Sequence, residues 1–296
     1  MMMNASSAAD GSLQRMPTLD ERLQQVRAIL HSFERVIVAF SGGVDSTLLA
    51  VLAQHVLGTE QVLAVTADSP SLARQDLEDA RRLARQLHLP HVVVCTAEVD
   101  DPTYQANSPA RCYICKQELF IEIEAQAAAR GIAAILYGAI GEDLLAERPG
   151  QRAAQERGVR APLQEAGLTK ADVRHVAKQL GLPNWNRPQN ACLASRIPHG
   201  ISVTRDKLRQ VEQAEALLRA QGFAHVRVRH LGTHARIEVA PEETRRFQDA
   251  ALCAELATAF ERLGFDTIGV DRAGYRAGGA DRSAADEVPL EAIARW

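Results

Sequence analysis

The residues best suited to chemistry fall in two groups. The first is Ser41-Gly42-Gly43-Val44-Asp45-Ser46, which follows the apolar run Val36-Ile37-Val38-Ala39-Phe40 and leads into a helical stretch over residues 47–57. A strand, a glycine turn and a helix start in that order make a phosphate trap. The glycines let the backbone approach an anion, and free N–H groups and the positive dipole end of the helix face the same point. Ser41 and Ser46 add hydroxyl donors. Asp45 offers a carboxylate to a magnesium ion, or simply to the helix dipole. The chain has no Walker lysine in a G-x-x-x-x-G-K-[ST] frame, so this is not the common P-loop. A plain glycine turn would not require two serines and an aspartate.

The second group is Arg111-Cys112-Tyr113-Ile114-Cys115-Lys116 together with Ala191-Cys192-Leu193-Ala194-Ser195-Arg196. A C-x-x-C pair brings two thiolates to one metal, and a distant cysteine can complete the pocket. Three cysteines suit a 4Fe-4S cluster with one open iron, whereas a closed zinc site needs a fourth ligand, for which His199 is the candidate. A redox C-x-x-C and ordinary partly buried thiols are the other readings. Cys95 and Cys253 read as core residues.

The elements that must position these residues alternate. Apolar runs at 62–66, 91–95 and 133–137 read as further strands, and residues 69–88 and 116–130 as helices between them. Repeated βα units with near-continuous apolar strands predict a doubly wound parallel sheet covered on both faces, with ligands beyond the carboxyl ends of its strands. Ala39, Ser41 to Ser46, Thr66 and Gly138 then share one rim. Glu142 and Asp143 follow the fourth strand and are candidates for a second magnesium ion or for orienting a substrate. Residues 147–167, rich in Gly, Arg and Pro, predict a mobile loop. Thr169-Lys170-Ala171-Asp172 opens a helix with a capping box. After Pro198 the pattern changes to helix (204–221), two strands (225–230 and 235–240), helix (241–263) and a short strand (267–271), a smaller α+β domain. The predicted division is a disordered tail at 1–17, an α/β domain at 18–198, an α+β domain at 199–275 and a loosely held tail at 276–296.

Composition sets limits. At 46% hydrophobic and 24% charged residues the chain reads as soluble and globular, and a net charge of −3 gives no bulk attraction for nucleic acid. No apolar run approaches the roughly 20 residues that span a membrane. Five cysteines are too few for a disulfide scaffold, and a cytoplasmic location is expected. In the α+β region, Arg227 and Arg229 alternate with Val226 and Val228, so both arginines share a strand face and could bind a phosphate group, or merely be solvated.

SGGVDS resembles the loop of the PP-loop ATP pyrophosphatases. Together with RCYICK, the stretch Gly167-Leu168-Thr169-Lys170-Ala171-Asp172-Val173-Arg174, and Cys192-Leu193-Ala194-Ser195-Arg196-Ile197-Pro198-His199-Gly200, it resembles the LarE family of PP-loop sulfur transferases over about residues 18–275. The resemblance implies a fold of the adenine nucleotide alpha hydrolase type and the cofactors ATP and Mg²⁺. It implies adenylation of a carboxylate of pyridinium-3,5-biscarboxylic acid mononucleotide, followed by replacement of an oxygen by sulfur. Two sulfur sources occur in that family: a sacrificial cysteine, or a 4Fe-4S cluster on three cysteines. Cys112, Cys115 and Cys192 point to the second. Ser195, Arg196, Arg227 and Arg229 are the expected substrate contacts, and a homo-oligomer, a hexamer by resemblance, is expected. A PP-loop tRNA thiolase, an NAD or GMP synthetase and a non-catalytic nucleotide sensor are the alternative readings. A synthetase would need an ammonia source, and the chain shows no glutaminase.

Overall fold

Alternate residues of the first apolar run face opposite sides of a sheet, and both sides are buried. The computed structural model describes residues 16–141, 149–188, 191–275 and 287–293. Strand β1 (Val36–Ala39) lies between β2 (Val62–Asp68) and β4 (Ala134–Tyr137), and β3 (His91–Cys95) lies outside β2, so the order is β3-β2-β1-β4 with every pair parallel. Val36 and Val38 pack with Ala64 and Leu136 under helices α1 (Leu19–His31) and α2 (Val44–Leu57). Ile37 and Val65 pack on the other face, beneath Phe120 and Ile123. The period-two alternation thus feeds two cores. Helix α3 (Arg74–Gln86) and helix α5 (Arg111–Arg130) complete the cover, with the single turn α4 (Pro102–Gln105) before α5.

The chain leaves β1 toward β2 and β3, then returns to β1's other side with β4. That reversal opens a crevice at the carboxyl end of β1, where the glycine loop begins.

Several expected boundaries shift, each for a physical reason. The helix expected over 69–88 starts only at Arg74, because the Ser69 and Ser71 hydroxyls turn inward to Glu98 instead of capping a helix. The helix expected from residue 116 starts at Arg111, so Cys112 and Cys115 lie in its first turns. The segment 147–167, expected as a loop, carries α6 (Pro149–Glu156) and α7 (Pro162–Glu165), anchored by fully buried Ala153, Ala154 and Leu163. Residue 160 also extends the sheet beyond β4 through Arg160 N–H to the Ile135 carbonyl at 2.9 Å. Glu142 and Asp143 lie outside the described residues. The capping box at Thr169 opens α8 (Lys170–Gln179), as its sequence predicts.

The second sheet has the order β5-β6-β7-β8. Strands β5 (Val226–Leu231) and β6 (His234–Val239) form an antiparallel hairpin, β7 (Thr267–Asp271) runs parallel to β6, and β8 (Glu287–Pro289) antiparallel to β7. Helices α9 (Arg205–Ala220), α10 (Ala250–Arg262) and α11 (Leu290–Ile293) accompany it. Residues 241–248 form 3₁₀ turns, and Asp249 caps a separate α10, where one helix over 241–263 was expected. A further core joins the two regions: Leu208 and Val211 of α9 pack with Val99, Tyr104, Leu193 and Ala194. Among the described residues no helix is long and apolar enough to cross a membrane.

Part of the tail expected to be loose is fixed. Val288 pairs with Val270, and Leu290 is 1% exposed in the second core. Leu290→Ala should therefore cost about 2–5 kcal/mol of stability in urea unfolding. A change within about 0.5 kcal/mol, as at an exposed site, would mean that this segment does not dock.

Candidate active site

In a parallel sheet all carboxyl ends share one rim, so the loops after β1, β2, β3 and β4 are neighbours. The loop after β1 is Ser41 to Gly43. Gly42 has φ +70°, and a Cβ there would meet Ala80 at 3.1 Å, so only glycine fits without strain. Gly43 is the N-cap of α2 and no side chain caps that helix, which leaves its first N–H groups for a ligand. Ser46 Oγ donates to the Gly43 carbonyl at 3.1 Å, lies 3.2 Å from Ser41 Oγ, and accepts from Ser41 N–H. The serines therefore shape the loop from within. Gly138, at the end of β4, approaches so closely that a Cβ would lie 2.7 Å from the Ser46 nitrogen.

Two other side chains brace this loop. Asn184 Nδ2 donates to the Gly42 carbonyl and to Thr47 Oγ1, both at 3.0 Å. Lys170 Nζ sits 2.8 and 2.6 Å from the two Asp45 carboxylate oxygens, so the expected magnesium ligand carries an ion pair in this structure. Thr66 is buried and donates to the Phe40 carbonyl at 2.5 Å, which fixes β2 to β1 at the rim. Ala39 is half-buried at the end of β1.

The cysteine segment docks on the neighbouring loops. Leu193 N–H donates to the Ser71 carbonyl, beyond β2, at 2.8 Å, and so seats the 3₁₀ turn at 193–196 that follows Cys192. Arg111, next to Cys112 and buried, donates to the Ala194 carbonyl at 3.0 Å and to Asn107 Oδ1. Asn107, fully buried, donates in turn to the carbonyls of Ile197, Pro198 and Ile201. The first turns of α5, carrying Cys112 and Cys115, are thus tied to the turn that carries Cys192.

The electrostatics agree with this convergence. Burial, then the Glu98 and Cys192 charges, push the Cys115 thiol up to about 12, with Cys112 adding to the rise and Lys116 opposing it. Burial, then Cys192, raise Tyr104 as well, with Cys115 and Glu98 adding to the rise. Cys112 and Cys192 are exposed, while Cys115 is half-buried. No three His, Cys, Asp or Glu side chains among the described residues converge on one metal-ion position. His199 is exposed, with Nδ1 3.0 Å from the Asn107 carbonyl oxygen, and does not close a zinc site. Cys253 is buried in the second core, as expected, but Cys95 is exposed at the end of β3.

The arginines differ from expectation. Arg196 is 1% exposed and pairs through two nitrogens with Glu215, while its Nη1 donates to the carbonyls of Ala191 and Cys192 at 2.6 and 3.0 Å. Arg229 is also buried; it pairs with Glu238 at 2.9 and 2.7 Å and donates to the Ser195 carbonyl at 3.1 Å. Neither presents a free guanidinium to a substrate: both are spent on carboxylates and on the cysteine turn. Burial works to raise Glu215, but Arg196 and Arg219 outweigh it and hold its carboxyl below the usual range. Arg227 is half-buried, with its guanidinium 5.1 Å from the Tyr275 ring centre. Burial and the neighbouring Arg196 lower its affinity for a proton, a sign of crowded positive charge. Ser195 is half-buried, its hydroxyl accepting from Arg196.

Sequence reasoning missed Lys170, Asn184, Asn107, Arg111, Glu98 and Glu215. A lysine at the first position of the capped helix was visible, but its aspartate is 125 residues away.

The NAD synthase family profile matches residues 18–146. An uncharacterized protein of Synechocystis sp. is 41% identical over 264 residues, spanning 89% of this chain and 98% of that protein. The pyridinium-3,5-bisthiocarboxylic acid mononucleotide synthase of Lactiplantibacillus plantarum is 37% identical over 263 residues, spanning 89% and 95%. A tRNA-specific 2-thiouridylase of Parvibaculum lavamentivorans is 32% identical over 243 residues, but this chain covers only 58% of it. With the glycine loop and the cysteine turn in place within a match that spans nearly all of the plantarum protein, the chain belongs to the LarE family of PP-loop, ATP-dependent sulfurtransferases.

Proposed function

We propose that this chain adenylates a carboxylate of pyridinium-3,5-biscarboxylic acid mononucleotide and then exchanges an oxygen for sulfur. The observation that carries this reading is the single rim shared by the glycine loop, at β1 and β4, and the cysteine turn, docked beyond β2. A carboxylate is a poor acyl donor, and attack of its oxygen on the α-phosphorus of ATP expels pyrophosphate and leaves an acyl-adenylate. Sulfur then attacks the acyl carbon, and AMP departs with the original oxygen.

Ala39, Ser41, Gly42, Gly43, Ser46, Thr66 and Gly138 form the nucleotide side. The uncapped N–H groups at the start of α2 meet the pyrophosphate as its charge develops, on a loop whose shape the serines and glycines hold. Lys170 adds a positive charge at the same place. Asp45 is a single carboxylate that suits a magnesium ion entering with ATP, at the cost of sharing or losing Lys170. Arg227, half-buried and beside the crowded positive charge of Arg196, is the cation that would receive the substrate phosphate.

Cys112, Cys115 and Cys192 form the sulfur side. Burial above all, then the Glu98 and Cys192 charges, disfavours a free thiolate at Cys115, and a positively charged iron–sulfur core would offset that cost. These three would hold a 4Fe-4S cluster, which when bound supplies a site for an extra sulfide. Arg111 and Asn107 tie the helix start that carries Cys112 and Cys115 to the turn that follows Cys192. A tRNA substrate is disfavoured by the net charge of −3.

Asp45→Ala should abolish AMP and pyrophosphate formation while leaving the melting temperature within a few degrees, since the residue lies on an open rim. ADP as the main nucleotide product would remove the PP-loop chemistry altogether. Gly138→Ala should weaken ATP use about tenfold or more, since its methyl group would press on the loop by about an ångström. Each single Cys→Ala change at 112, 115 or 192 should spare adenylation and stop thiocarboxylate formation. Intact-mass spectra after turnover should show an unchanged chain. A loss of about 34 Da at Cys192 would instead establish a sacrificial thiol.

A further inference from the structure

Glu98 is 3% exposed and has no basic partner within ion-pair distance among the described residues. Its Oε1 accepts from Ser71 Oγ at 2.9 Å and from Ser69 Oγ, while its Oε2 is buried without a hydrogen-bond partner. Ser71 also accepts from the buried Tyr104 hydroxyl at 3.2 Å, and its N–H donates to Ser69 Oγ at 3.0 Å. A carboxylate kept in such a place is costly, and it draws Ser69 and Ser71 away from capping α3, which starts only at Arg74. What the network fixes is the Ser71 peptide, whose carbonyl receives Leu193 N–H, one residue after Cys192. The same carboxylate lies close enough to Cys115 to raise its thiol.

We propose that Glu98, acting through Ser71, is a positioning residue that sets where Cys192 stands relative to Cys115. The inference rests on the sulfur-transfer reading above, and its geometry can be tested apart from it. A hydrogen-bond acceptor of the right length at 98 is what the network needs, since both serines donate to a single oxygen. Glutamine preserves that acceptor; alanine removes it and frees the Ser71 loop to move.

The test uses the full chain without added cofactors and dibromobimane, which becomes fluorescent when it bridges two neighbouring thiols. Peptide mapping identifies the Cys115–Cys192 bridge. Wild type should form this bridge, Glu98→Ala should form it several-fold more slowly, and Glu98→Gln should restore it. Ser71→Ala, a change of one buried hydroxyl that spares the fold, should also slow it. In the loaded enzyme Glu98→Ala should lose about 10- to 100-fold in kcat for thiocarboxylate formation, as a displacement of about an ångström does. The KM for ATP in AMP formation should not change. Bridging that is equal in wild type, Glu98→Ala and Ser71→Ala would overturn the proposal, as would a glutamine variant as impaired as alanine, since charge rather than position would then matter. Altered bridging in a protein that never forms thiocarboxylate would leave the positioning role standing and refute the sulfur-transfer reading instead.

Discussion

Arg196 is a cation with almost no contact with water, and the site is organised around its partners. An unpaired charge so deep would cost several kcal/mol, so Glu215 of α9 takes two of its nitrogens and the carbonyls of Ala191 and Cys192 take the third. Glu215 is itself shared: it also accepts from Val228 N–H on β5 and from Arg219. One buried ion pair therefore fixes the cysteine turn, a helix and the edge of the second sheet together. Removing either partner would strand the other and release the turn, at about 3–5 kcal/mol. Arg229 with Glu238 repeats the device at the Ser195 carbonyl, three residues after the Cys192 carbonyl that Arg196 holds.

The other side of the turn is held through its backbone carbonyls by one amide and one further guanidinium. Asn107 satisfies three carbonyls of 197–201, and Arg111 reaches Ala194 from beside Cys112. The cysteine segment consequently belongs to neither sheet alone. It is suspended between the loops after β2 and β3 and the α9–β5 unit, with the glycine loop next along the rim. That arrangement suits a reaction in which one carboxylate must be activated at one point and attacked by sulfur close by without release.

Much of the nucleotide side was legible because its signals are local. The apolar run, the two glycines, the serines and the capping box at Thr169 each act within a few residues of themselves. The C-x-x-C pair and Cys192 stand out as residues in the sequence, but the Arg111 and Asn107 hydrogen bonds that tie their segments together do not. Nor were the ionic clamps legible. Arg196 reads as an available cation in sequence, yet its charge is answered 19 residues on by Glu215, and Arg229 by Glu238 across a hairpin. Period-two alternation correctly turned Val226 and Val228 inward, but the opposite face was covered as well, a matter of tertiary packing. Ser69-Pro70 carries every local mark of a helix start, and a carboxylate from the next loop overrides it. The segments expected to be loose, 147–167 and the end of the chain, hold short helices whose small apolar residues gave too weak a periodic signal.

The proposed reaction order transfers AMP to the substrate carboxylate before sulfur enters. The direct measurement is the fate of oxygen-18 placed in both carboxylates of the dicarboxylate nucleotide during a single turnover with unlabelled ATP. That order predicts one labelled oxygen in the phosphate of AMP for each thiocarboxylate formed. Unlabelled AMP, or label in inorganic phosphate alongside ADP, would contradict it.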